Sequence, residues 1–144
     1  MKKIILTTLV ILGTFSIAHS ADSNYSAKYI TNFKTCTPYT ETYNVDIPTN
    51  DPNTPILHLQ SKESIIGKQN DKCKTQSTVS NLELKQKLVE VNCQFTPSQL
   101  ASITSKMEKA STDPNVKKAL QDELNRYVQT PTTCTTQKFI EQQN

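Results

Sequence analysis

The spacing of apolar residues changes near residue 96. Before this point apolar and polar residues alternate, which is typical of strands with one buried face. The alternation is clearest in residues 39–47 and 89–95, and less regular in residues 57–67, where a bulge is expected, and 73–79. Turn-forming residues separate these segments. The pattern predicts an antiparallel sheet of about four strands connected as a meander.

After Phe95 the spacing becomes helical. Thr96, Pro97 and Gln99 form a capping-box signature with proline at the first helical position. A second helix start follows at residues 112–114, and each segment carries one apolar stripe. We therefore expect an α+β fold in which two C-terminal amphipathic helices pack on one face of the sheet.

Residues 48–55 interrupt the strand pattern. They contain three prolines together with asparagine and aspartate. Proline cannot donate a backbone hydrogen bond, and asparagine and aspartate favour turns. We expect a loop here.

The first twenty residues have the features of an export signal. Lys2 and Lys3 precede an uncharged apolar run, and Ala18 and Ser20 place small side chains where signal peptidase needs them. The run is short for a membrane span. We expect residues 1–20 to be cleaved, residues 21–35 to form a polar leader, and residues 36–144 to form a single domain.

Signal cleavage removes most of the positive charge. The full chain has 16 basic and 13 acidic residues, so loss of Lys2 and Lys3 leaves 14 basic residues and a net charge of +1. Such a chain lacks the overall basic bias of many nucleic-acid-binding proteins. We expect neither nucleic-acid binding nor stable membrane insertion after cleavage.

All four cysteines lie beyond the signal, and an even number of cysteines in an exported chain predicts two disulfides. Their separations of 37, 20 and 41 residues include no C-x-x-C pair and do not suit zinc. We expect no metal or cofactor. Three pairings are open; the expected topology favours Cys36–Cys73 and Cys93–Cys134, with Cys93 facing the core.

Lysines are concentrated between residues 62 and 87. Four of them have even numbers and would share one polar face of an unbroken strand pattern, namely Lys62, Lys68, Lys72 and Lys74. Such a patch would attract an anionic surface. The alternative, which we favour, is that these lysines only keep the sheet soluble and block edge pairing, because the stretch has no aromatic residues for base stacking.

No catalytic motif is present. Gly67 is the only glycine after cleavage, which excludes glycine-rich phosphate loops and the G-x-S-x-G elbow. His58 is the only remaining histidine, and its position between Leu57 and Leu59 predicts a solvent-facing side chain. Four acidic residues that each lie near a lysine are expected to be surface charges: Glu63, Asp71, Glu83 and Glu90.

These observations favour a noncatalytic binding or interaction module in the periplasm or extracellular space. Its partner would be an unknown protein or envelope component, held by the sheet face, a sheet edge or residues 48–55. The alternative is a small secreted hydrolase or hydrolase inhibitor. A cavity gathering His58 with carboxylates or hydroxyls would favour the enzyme, and a protruding, disulfide-anchored loop at residues 48–55 would favour the inhibitor.

Overall fold

The computed structural model describes residues 25–139, which form an antiparallel sheet and helices. The strands follow one another in the order β1-β2-β3-β4-β5, so the α+β meander is confirmed. The expected signal and its cleavage site lie outside the described residues. In chain order the elements are α1 (Ala27–Thr35), β1 (Tyr39–Asp51), β2 (Thr54–Gln69), β3 (Lys72–Asn81), β4 (Gln86–Phe95), α2 (Pro97–Ala110), α3 (Pro114–Val128) and β5 (Cys134–Lys138).

The fifth strand has no counterpart in the sequence pattern. Strand β5 pairs with β4, and Cys134 lies directly opposite Cys93. Only Cys134 is buried in β5, while the other four residues are exposed. A strand exposed on both faces has no alternation of apolar and polar residues, so hydrophobic spacing cannot reveal it.

The prediction of a loop at residues 48–55 is wrong. Strand β1 continues through Pro48, which pairs with Ile56 of β2. The connecting turn contains only Pro52 and Asn53. Strand β1 is an edge strand, and the outer side of an edge needs no ladder hydrogen bonds, so proline is tolerated there.

The apolar core lies between the helices and one face of the sheet. Ile103 of α2 is completely buried, and Val89 and Val91 of β4 lie beneath the helices. Helix α1 also belongs to this core: Phe33 packs edge-on against Phe95 with ring centroids 6.0 Å apart. Residues 27–35, from the expected polar leader, thus form a helix with a buried aromatic side.

Helix α2 begins with the expected capping box. The Thr96 side chain accepts a hydrogen bond from the Gln99 backbone N–H at 3.3 Å, and the Gln99 side chain accepts one from the Thr96 backbone N–H at 2.9 Å. These bonds satisfy two N–H groups that the helix itself leaves without partners.

Loss of this cap is expected to destabilise the protein modestly. Thr96→Ala removes one of the reciprocal acceptors and should lower the free energy of unfolding by about 1 kcal/mol. Urea unfolding measures the change. Ser98→Ala, an exposed position in the first turn of the same helix, is the control and should stay within about 0.5 kcal/mol of wild type. Equal losses in the two variants would contradict a capping role.

The favoured disulfide pairing is confirmed. Cys36 is bonded to Cys73 and Cys93 to Cys134, closing separations of 37 and 41 residues. All four cysteines are buried. The disulfides indicate an oxidising, non-cytosolic compartment. Within residues 25–139, no helix has the length and apolar character needed to cross a membrane.

Candidate functional site

His58 forms a hydrogen bond with a carboxylate on the face of the sheet that lies away from the helices. Its Nδ1 donates to Asp46 Oδ1 at 2.7 Å, and its Nε2 lies 4.0 Å from a carboxylate oxygen of Glu83. The hydrogen bond to Asp46 raises the pKa of His58. No hydrogen bond within residues 25–139 joins this imidazole to a hydroxyl, and two-fifths of its side chain is exposed. The expected solvent-facing position is confirmed.

The face of the sheet opposite the helices, here called the open face, carries rows of polar side chains. Residues paired across neighbouring strands point to the same side. Thr40 Oγ1 donates to Ser64 Oγ at 3.0 Å, and Gln76 Nε2 donates to Asn92 Oδ1 at 3.0 Å. The strand registers place these four residues in one row with Thr135 of β5. The open face therefore presents hydroxyl and amide groups.

Three of the four lysines in the expected patch lie on the open face. Lys62 pairs with Thr78, and Lys74 pairs with Gln94. Lys72 lies two residues before Lys74 on the same strand and shares its face. These three lysines are called the lysine patch below.

Lys68 lies on the other face, so the expectation that all four lysines share one face is wrong. Ile65 pairs with Thr75 but Gly67 pairs with Lys74, which makes Ile66 an extra residue in β2. This bulge reverses the alternation, and Lys68 pairs with the core-facing Cys73. Gly67 takes φ +124°, a backbone conformation that suits glycine.

On the helix side Lys68 lines a groove of about 480 Å³ between α1, α2 and the β2–β3 turn. Phe95 and Leu100 contribute apolar surface to this groove. Its other lysine, Lys34, forms an exposed salt bridge of 3.2 Å with Glu108. Lysines and carboxylates both line the groove, so its charge does not indicate one class of ligand.

The lysine patch gives the open face an excess of positive charge. Lys87 Nζ forms a salt bridge of 2.7 Å with the Glu90 carboxylate, and the Asp46 carboxylate accepts the hydrogen bond from His58. No salt bridge within residues 25–139 involves a lysine of the patch. Three ammonium groups therefore remain available on a polar surface.

The expectation that Glu63 is a surface charge is wrong, because this residue is only 5% exposed. Ser61 Oγ donates to Glu63 Oε1 at 2.9 Å, and Ser77 Oγ donates to Oε2. Burial raises the pKa of Glu63 to about 7, against the opposite effect of the two serine hydrogen bonds. The alternation that buries Leu59 and Ile65 also directs Glu63 towards the helices.

A second carboxylate lies next to Glu63. Glu41 of β1 is its direct cross-strand partner, and like charges in this arrangement repel. Ser26 Oγ donates to Glu41 Oε2 at 2.5 Å, whereas the buried Glu41 Oε1 has no hydrogen-bond partner in the described part of the chain. The two carboxylates lie where α1 approaches the sheet. Residues 25–139 contain no group of three or more His, Cys, Asp or Glu side chains arranged to hold a metal ion.

The protein is thus an α+β protein with two disulfides, a polar open face and, on the helix side, a pair of carboxylates formed by the buried Glu63 and the half-buried Glu41. No protein-family model, curated protein or solved structure matches the chain.

Proposed function

We propose that the protein is an exported, noncatalytic binding module that acts in the periplasm or outside the cell. Its partner in this proposal is an anionic polymer that binds the open face. The observation that carries the proposal is the lysine patch, whose three ammonium groups lack acidic partners among residues 25–139 and lie among hydroxyl and amide groups.

The dimensions of the patch suit an extended ligand. Lys72 and Lys74 are two residues apart on β3, or about 7 Å along the strand. Lys62 lies beside Thr78, about 13 Å from Lys74 along the same direction. Ammonium groups at these spacings would contact successive anionic groups of a polymer, while the neighbouring amides and hydroxyls would hydrogen-bond its uncharged parts.

Removal of the patch is expected to abolish most polyanion binding. The triple variant Lys62→Gln, Lys72→Gln, Lys74→Gln cannot form three exposed ion pairs with the polymer, each worth about 0.5 kcal/mol. This loss predicts roughly tenfold weaker binding to polygalacturonate at low salt. Retention on immobilised polygalacturonate, with neutral dextran as reference, measures the effect. Salt should weaken wild-type binding because it screens exposed charges.

The matched control replaces lysines of the helix layer. Lys109→Gln, Lys117→Gln, Lys118→Gln changes the net charge by the same amount on α2 and α3. This variant should bind polygalacturonate as wild type does. Equal losses in the two triple variants would show that net charge alone governs binding. Equal retention of the wild type on dextran and on polygalacturonate would show that charge is irrelevant. Either result would contradict the proposal.

A further inference from the structure

A chain of hydrogen bonds joins the first turn of α1 to two carboxyl groups of the sheet. Ser26 is the N-cap residue of α1, and its hydroxyl oxygen accepts a hydrogen bond from the Tyr29 backbone N–H at 3.0 Å. The same hydroxyl donates to Glu41 Oε2 at 2.5 Å. Glu41 is the cross-strand partner of Glu63, which places their Cβ atoms about 4.5–5.5 Å apart. Glu41 and Glu63 are called the carboxyl pair below.

The carboxyl pair has one buried oxygen without a hydrogen-bond donor. Both oxygens of Glu63 accept hydrogen bonds from serines, and Glu41 Oε2 accepts one from Ser26. Of the four oxygens only Glu41 Oε1, which is buried, has no partner within residues 25–139. A protonated carboxyl group carries an O–H donor and can still accept hydrogen bonds. A proton on Glu63 would therefore supply the donor that Glu41 Oε1 lacks.

No positive charge compensates the carboxyl pair within the described residues. The titratable groups that face Glu63 are Glu41 on β1, Tyr25 just before α1, and Tyr29 on α1. Helices α2 and α3 contribute only uncharged side chains to a cavity of about 60 Å³ beside Glu63. Burial raises the pKa of Glu63 to about 7. Burial also raises the pKa of each tyrosine above its usual value of 10, so both tyrosines stay neutral where Glu63 titrates.

Glu123, which is also buried, has the cationic partner that the carboxyl pair lacks. It is 7% exposed, and Lys106 of α2 lies 2.7 Å from its Oε2. Burial alone would raise the pKa of Glu123, but hydrogen bonds from Lys106 and Tyr127 lower it. A buried carboxylate is costly without such compensation. Ionisation of Glu63 would instead place a second negative charge in the carboxyl pair, where like charges repel.

We propose that protonation of the carboxyl pair controls the attachment of α1 to the sheet. With a proton on Glu63, its O–H donates to Glu41 Oε1, and Ser26 holds α1 to the sheet through Glu41. Loss of this proton to solvent leaves two facing carboxylates, whose repulsion favours separation of Ser26 from the sheet. The other end of α1 stays attached, because Cys36 is bonded to Cys73. The helix therefore opens at its N-terminal end, and the cavity beside Glu63 joins the solvent.

The test measures hydrogen exchange of backbone amides in the oxidised protein, with each rate compared with its intrinsic value to give a protection factor. The Ile30 N–H donates to the Ser26 carbonyl at 3.0 Å and reports on the first turn of α1. Closed α1 keeps a proton on Glu63 that the open state releases near pH 4.5, so rising pH favours opening until Glu63 ionises near pH 7. Ile30 protection should therefore fall roughly tenfold between about pH 6 and about pH 8.

The matching amide of α2 separates local opening from global unfolding. The Leu100 N–H donates to the carbonyl of the N-cap residue Thr96 at 2.9 Å, as the Ile30 N–H does to Ser26. Opening of α1 alone leaves this bond intact. At about pH 8 the Ile30 amide should be at least roughly tenfold less protected than the Leu100 amide.

Two variants each remove one charge from the carboxyl pair. Glu63→Gln does not ionise, and its amide can donate to Glu41 Oε1 at every pH, so Ile30 protection should stay within about twofold from about pH 6 to about pH 8. Glu41→Gln removes the repulsion and places an amide donor opposite Glu63, so the fall in Ile30 protection should shrink to about threefold or less. Amide spectra check that each variant is folded.

His58→Gln is the control for the other group that titrates near this pH range. The hydrogen bond to Asp46 raises the pKa of His58 above 6.5, but this residue lies on the open face. His58→Gln should keep the wild-type fall in Ile30 protection, and a flat profile would assign the fall to His58 and overturn the proposal. Three other results would overturn it: unchanged Ile30 protection in the wild type, equal protection of Ile30 and Leu100, or a fall of wild-type size in either folded Glu→Gln variant. Polygalacturonate binding concerns the open face alone and has no bearing on these outcomes.

Discussion

Reduction of the two disulfides is expected to unfold the protein at room temperature. Each bond closes a loop of about 40 residues, and such a loop stabilises the folded chain by roughly 4 kcal/mol in the chain-entropy description. Two such contributions rival the whole net stability of a typical domain, about 5–15 kcal/mol. Circular dichroism melts with and without a strong phosphine reductant measure the loss, and an unchanged melt would contradict the expectation.

Paired variants assign the effect to individual bonds. Cys36→Ala with Cys73→Ala releases α1 from the start of β3. Cys93→Ala with Cys134→Ala releases β5 from β4, although the strand hydrogen bonds remain. We expect each pair to lower the free energy of unfolding by roughly 2–5 kcal/mol. In the reduction experiment, wild-type protein treated with the oxidised form of the phosphine is the control for effects of the reagent.

Glu63→Gln is expected to make the protein more stable at alkaline pH. In the unfolded chain this carboxyl ionises near pH 4.5, whereas in the folded protein burial raises its pKa to about 7. The folded state therefore holds a proton that the unfolded state has released. Its stabilising contribution is fully present below pH 4.5 and is lost as the pH rises through 7. This loss lowers the free energy of unfolding by about 3 kcal/mol. Glutamine has no charge to bury at any pH.

The measurement is urea unfolding of the wild type and the variant across this pH range. The wild type should lose stability towards neutral pH more steeply than Glu63→Gln does. Glu90→Gln is a control of opposite sign, because hydrogen bonds from Asn92 and Lys87 lower the pKa of Glu90. Glu90→Gln should therefore be less stable than the wild type at neutral pH. The difference in the free energy of unfolding should become smaller at acid pH. Identical pH profiles for Glu63→Gln and wild type would show that folding does not change the pKa of Glu63, and would contradict the expectation.

The parts of the fold with strong local signals could be predicted from the sequence. Val89, Val91 and Cys93 alternate with polar residues in β4, and Thr96 and Gln99 form the capping box of α2. Strand β5 and the strand position of Pro48 could not be predicted, because both belong to the edges of the sheet. At an edge, pairing on one side is enough to hold a residue, and hydrophobic spacing carries little information about it.

The candidate sites were harder to predict, for two physical reasons. A single extra residue at Ile66 reverses the alternation, so counting positions misplaces Lys68. Glu63 has the core-facing parity of Leu59 and Ile65, but an acidic residue near lysines is usually a surface charge. The parity itself was the available signal. The aromatic residues Tyr25, Tyr29 and Phe33 also recur every four positions, which is the spacing of a helix with one aromatic side.

The order of the cysteine pairs has a consequence for how the chain acquires its covalent structure. The first cysteine is bonded to the second and the third to the fourth. A polypeptide entering an oxidising compartment with its N-terminus first would expose each partner before any competing thiol from the other pair. For a chain exported in this way we therefore expect oxidation in order of emergence to give the native bonds directly, without a thiol-exchange step that rearranges mispaired intermediates.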